Sequence, residues 1–183
     1  MRAFLAFEVA EEVKARIMAA EEEMKRTGAD VSMVGRENVH FTVKFLGDIP
    51  EEAIEEIDGR VAKLDLKSIE IAVRGVGVFP DLRRPRVVWA GVAAGDEVAV
   101  GTLSNGIIKA LDGIGRPDDH EFHAHITLGR VRGPRNSEAL AAFVRKNTAL
   151  DFGRTRIDSL KLKSSVLTPS GPTYSDVREY ALN

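Results

Sequence analysis

Cysteine does not occur among the 183 residues, which removes thiolate nucleophiles, cysteine-ligated zinc and dithiol redox chemistry together. Long hydrophobic runs are missing as well. No stretch approaches the roughly 20 apolar residues needed to cross a bilayer. Met1 to Glu8 carries one early arginine and a short apolar run, without the middle region or small-residue cleavage site of a secretory signal. A cytoplasmic protein with no membrane association is the expectation. Nor is there an excess of one charge: 26 Lys and Arg face 28 Asp and Glu, a net charge of -2. Bulk electrostatic wrapping of a long nucleic acid is therefore disfavoured, whereas recognition of one phosphate in a cleft is not. Low-complexity tracts and separating linkers are also absent. What is present is 44% hydrophobic residues, enough for a substantial core in one unit of residues 1–183 without disulfides, metal clips or an obligate partner.

The hydrophobic periodicity predicts a strand at Arg2–Val9 and an amphipathic helix at Glu11–Thr27 on Val13, Ile17, Ala20 and Met24, stopped by Gly28. Val39–Leu46 reads as a strand. Asp48 with Glu51 offers a capping box for a helix through Leu64. Ser68–Val78 and Arg86–Val92 read as strands around a Pro80–Pro85 loop, and Val100, Leu103, Ile107 and Leu111 mark a third helix. A strand at His123–Arg130, a short helix at Ser137–Lys146 and two strands near Thr155–Val166 and Tyr174–Leu182 complete the order. Helices on antiparallel or mixed sheets, an α+β architecture, fit it best.

One short pattern occurs twice: His40-Phe41-Thr42-Val43, with Gly47 soon after, and His125-Ile126-Thr127-Leu128, with Gly129 directly after. On a strand, residues i and i+2 share a face. Each histidine therefore projects with its threonine, while Phe41 and Val43, or Ile126 and Leu128, enter the core. Two such edges face to face would surround a phosphodiester with two imidazoles and two hydroxyls. An imidazole pKa of about 6.5 lets one ring take a proton from water while the other gives one to the departing alkoxide. The hydroxyls would donate to the non-bridging oxygens. Spacing alone leaves this reading level with a bland one, in which both histidines are ordinary strand residues with satisfied hydrogen bonds.

At these residues the chain also resembles the two-histidine (2H) phosphoesterases, and within them the RNA 2′,3′-cyclic phosphodiesterase (ThpR) branch, also called the 2′-5′ RNA ligase family. The resemblance runs nearly end to end, through RAFLAFEV, HFTVKFLG at 40–47, GVFPDLRRPRVVWAGV at 77–92, FHAHITLGR at 122–130 and SSVLTPSGPTYSDVREYAL at 164–182. It implies a bilobal α+β fold, two pseudo-twofold-related halves with helices outside and a central cleft, forming a single domain over residues 1–183. It also implies metal-free and cofactor-free hydrolysis of a terminal 2′,3′-cyclic phosphate to a 2′-phosphate. His40 corresponds to the proton donor, His125 to the proton acceptor, and Thr42 and Thr127 to the phosphate-holding hydroxyls. Members with ligase activity join or cleave 2′-5′ linkages. Ala124 stands where many members have proline, and it removes no reactive group. RNA ends or small cyclic nucleotides are the implied substrates, handled by a monomer.

Other residues draw attention. Arg130 is a substrate-binding candidate, but five positions after His125 it points away from the His/Thr face unless the strand bends at Gly129. Arg83, Arg84, Arg86, Arg132 and Arg135 make two basic loops, suited to an RNA backbone or simply solvated. Phe45 and Trp89 would stack a base or fill the core. His120, His123 and His125 allow a rival metal-dependent phosphohydrolase, although no carboxylate stands at a telling spacing and the His40 motif would then be idle. A second rival is a module that binds RNA ends without turnover.

Overall fold

The computed structural model describes residues 1–183. Its strands are β1 (Arg2–Glu8), β2 (Val31–Met33), β3 (His40–Asp48), β4 (Ile69–Phe79), β5 (Val87–Val92), β6 (Ile126–Val131), β7 (Asp151–Ile157), β8 (Ser159–Thr168) and β9 (Gly171–Ala181). The helices are α1 (Glu11–Lys25), α2 (Glu52–Val61), α3 (Glu97–Ala110) and α4 (Ser137–Lys146). The fold is α+β, and every strand pairing is antiparallel. None of the helices is long and apolar enough to cross a membrane.

The strands follow the order β7-β4-β5-β6-β3-β1-β8-β9, with β2 on β6. One half is β4 to β7, the other β1, β3, β8 and β9. A single register pair, Phe41 with Ile126, joins them at β3 and β6. The stretch Thr155–Val166 reads as one strand but is two, interrupted at Asp158. The first piece pairs with β4 and the second with β1. The chain passes in one residue from β7, at one end of the order, to β8, next to the other end, and this forces the sheet to curl.

Hydrophobic periodicity placed the helices because their apolar stripes are what the core takes up. Val13, Ile17, Ala20 and Met24 are all buried, as are Ile57, Val61, Val100, Ile107 and Leu111. The capping box at Asp48 does not form. Asp48 is the last residue of β3, and α2 starts after Pro50 without a side-chain cap. The residue before a proline is held out of the helical region, so Ile49 stays extended and the helix starts late. The strand expected at His123 likewise starts only at Ile126.

The glycines that follow the two motifs serve different ends. Gly47 has φ +69°, a left-handed conformation costly for other residues. Gly129 is needed for space, since a β-carbon there would lie 2.5 Å from Val31 Cγ1 on β2.

Candidate active site

The β3–β6 pairing builds the site. Phe41 and Ile126 are both fully buried and oppose one another. In an antiparallel ladder, His40 then stands across from Thr127, and Thr42 across from His125, all four on the other face. The two histidines are diagonal neighbours, a relation that leaves about 7–8 Å between residues in a regular ladder. His40, Thr42, His125 and Thr127 line one cavity of about 220 Å³.

Arg130 lines the same cavity, against the simple alternation of the strand. The cause is a bulge. Val88 pairs with Gly129 but Trp89 with Thr127, so Leu128 is an extra residue that shifts the phase and returns Arg130 to the His/Thr face. The first motif has the same device. Leu5 pairs with Lys44 but Ala6 with Thr42, leaving Val43 extra and turning Phe45 to the cleft. Phe45 and Arg130 each stand five residues after a motif histidine, one an apolar ring that is 59% exposed and the other an exposed guanidinium.

The imidazoles are held differently. His125 Nδ1 lies 2.7 Å from the carbonyl oxygen of His123. A carbonyl oxygen only accepts, so Nδ1 carries the proton and Nε2 is left as the basic nitrogen. The Phe79 ring stands edge-on to His125, centroids 5.0 Å apart. His40 packs between Phe4, at 5.1 Å, and Tyr174 of β9, at 5.6 Å. Behind it, Glu8, the cross-strand partner of His40, pairs with the buried Lys163 at 2.6 Å. Burial opposes the Glu8 charge, but Lys163 and Lys14 outweigh it and hold the carboxyl below its usual range.

Burial, reinforced by the Lys163 ammonium, pushes the His40 imidazole down to about 4. Burial also pushes His125 down, opposed by the bond to His123 and aided by the His123 and Arg130 charges. The free site therefore holds both rings neutral at neutral pH, a departure from the division into one charged and one neutral ring that their ordinary pKa suggests. The same cationic surroundings suit an anion.

The remaining candidates separate. Trp89 is not at the cleft: its ring packs on Phe79 and His123, centroids 5.2 and 5.4 Å away, and a β-carbon on Gly77 would meet it at 2.3 Å. His123 and His120 line an adjoining cavity of about 780 Å³. The His123 and His125 rings lie 6.3 Å apart in the loop before β6, and no three His, Asp or Glu side chains converge as a ligand set.

Comparison with known proteins identifies the family. The model of the family described as LigT like phosphoesterase matches residues 7–89. The RNA 2′,3′-cyclic phosphodiesterase of Archaeoglobus fulgidus is 35% identical over 98% of this chain and 99% of its own length. That of Methanothermobacter thermautotrophicus is 34% identical over 100% and 99%. The chain belongs to the LigT-like 2H phosphoesterase family. Among solved structures, TT0787 of Thermus thermophilus matches this phosphoesterase with a TM-score of 0.78 at 28% identity, covering 100% of this chain and 98% of that one. Escherichia coli LigT complexed with 3′-AMP matches its fold with a TM-score of 0.78 at 20% identity, over 99% and 97%. Around this cleft, the sequence pattern does not single out Phe4, Tyr174, Phe79, Glu8 or Lys163. Three of them, Phe4, Glu8 and Tyr174, fall in the resembling segments RAFLAFEV and 164–182, Phe79 falls in the segment 77–92, and Lys163 stands one residue before the last segment.

Proposed function

We propose that this protein opens the 2′,3′-cyclic phosphate at an RNA end to a 2′-phosphate, with His125 as base and His40 as acid. Water attacks phosphorus as His125 Nε2 takes its proton. The bond from phosphorus to O3′ breaks, and His40 supplies the proton that O3′ needs to leave as a hydroxyl. Thr42 and Thr127 donate to the non-bridging oxygens, and Arg130 balances their charge. An alcohol in place of water would give 2′-5′ ligation by the same steps.

The observation that carries this reading is the shared cavity: two histidines and two threonines from strands of opposite halves on one face of a single pair. The His125–His123 hydrogen bond supports the base, because it fixes the tautomer with a free Nε2. The depressed pKa of His40 fits an acid that charges only on substrate arrival, when the phosphate anion reverses the local field. All these groups come from one chain, which favours a monomer with the two halves as lobes of a single domain. RNA ends as substrate are consistent with a cytoplasmic protein.

Product analysis tests the reading. A cyclic-phosphate oligonucleotide is expected to yield a 2′-phosphate with no 3′-phosphate, in EDTA as without it. A 3′-phosphate product, or no turnover at all, would contradict it.

A further inference from the structure

A third cavity, of about 700 Å³, lies beyond β5 and β6, and Arg83, Arg84, Arg86, Arg132 and Arg135 line it. Two separate loops contribute these guanidiniums, the one before β5 and the one after β6. In a chain of net charge -2, this is a concentrated positive site. Its only carboxylate is Asp81, which is occupied in accepting the backbone N–H groups of Arg83, at 2.8 Å, and Arg84, at 3.1 Å. The side chains of Arg83, Arg84 and Arg86 are exposed and make no ion pair, while Arg132 pairs with Asp30 at 3.2 Å and Arg135 donates to the Gly28 carbonyl at 3.1 Å.

The groove is pre-formed and continuous with the cleft. Arg86 N–H donates to the Phe79 carbonyl at 2.7 Å, closing the first loop, and Val131 N–H donates to the Arg86 carbonyl at 2.9 Å, tying it to β6. Val87 lines both the groove and the catalytic cavity, and Phe79 lines the groove while touching His125. Arg130 and Arg132 stand two residues apart, about 7 Å along an extended chain.

We propose that this groove holds the backbone phosphates of the RNA strand 5′ to the reacting nucleotide, a step that rests on the function proposed above. A 2′,3′-cyclic phosphate sits at a 3′ end, so the rest of the polymer must leave the cleft in one direction, and this wall offers it cations. Arginine pairs bidentately with phosphate oxygens. Phe79 is the only aromatic ring on the groove, so it grips the backbone and reads no base sequence. Selectivity for polymers over mononucleotides follows.

The test compares wild type with the triple variant Arg83→Gln/Arg84→Gln/Arg86→Gln on two substrates: a nucleoside 2′,3′-cyclic phosphate and oligonucleotides of different sequence ending in one. The variant is expected to match wild type on the mononucleotide. For every oligonucleotide, its KM should rise about tenfold, as three surface charge contacts of ordinary strength allow. The salt slope should weaken by about 2, as three lost single-strand phosphate contacts require. Oligonucleotide KM and slope equal to wild type overturn the groove, as does an equal loss on the mononucleotide. If wild type turns over neither substrate, the catalytic reading fails instead. Anisotropy binding of a 2′-phosphate-ended oligonucleotide then decides the groove, with equal affinity for both proteins overturning it and weaker binding by the variant supporting it.

Discussion

Alanine at His40 or at His125 is expected to lower turnover by about 10²–10⁴-fold, the range that loss of a positioned acid or base produces. Both rings line the cleft and neither belongs to the buried apolar cluster, so circular dichroism should show the fold intact. The two losses should not multiply in the double variant, because a proton taken and a proton given belong to one displacement. The pH profile adds a sign. Burial lowers both imidazole pKa values in the free protein, and kcat/KM reports the free protein. Its optimum therefore lies below pH 6.5, between two apparent values that belong to the coupled pair. The phosphate anion raises both pKa values once bound, so the optimum of kcat lies at higher pH. Assays from pH 4 to 9 check this, and a kcat/KM maximum at pH 7 or above would contradict it.

Valine at Thr42 or at Thr127 is the second large effect. Valine copies the shape of threonine and removes only the hydroxyl. Both threonines are half-buried at the cavity wall, so packing is preserved while one hydrogen bond to a non-bridging oxygen is lost. That bond strengthens as negative charge builds on the attacked phosphorus, and losing such a donor costs about 10²–10³-fold in kcat. KM should move little. Serine at either position restores the hydroxyl and most of the rate. Steady-state kinetics of the four variants give the answer, and valine variants with near-normal kcat would remove the threonines from the mechanism.

How much of this was legible in the sequence depended on which interactions are local. The helices on Val13–Met24 and Ser137–Lys146 were readable because burial follows the 3.6-residue period, and the pairing of each histidine with its threonine was readable from the two-residue period of a strand. The side on which Arg130 points was not, since it hangs on one extra residue, Leu128, inserted opposite β5. A bulge is a property of two strands, and only the partner's register reveals it. The break at Asp158 was hidden for a related reason: Thr155–Val166 is extended throughout, and what changes is its partner, from β4 to β1. The late start of β6 at Ile126 was missed because His123 has a loop task, offering its carbonyl to the ring of His125. The lowered pKa of His40 depends on the distant Lys163, brought beside it only by the pairing of β1 with both β3 and β8.

The mechanism depends on two imidazoles acting on opposite sides of one phosphorus. A crystal structure with a nucleoside vanadate, a five-coordinate stand-in for the attacked phosphorus, tests it most directly. His40 Nε2 and His125 Nε2 are each expected about 2.6–3.2 Å from a different apical oxygen, with the Thr42 and Thr127 hydroxyls on the equatorial ones. Both rings on the same apical oxygen, or either ring turned away from the vanadate, would contradict it.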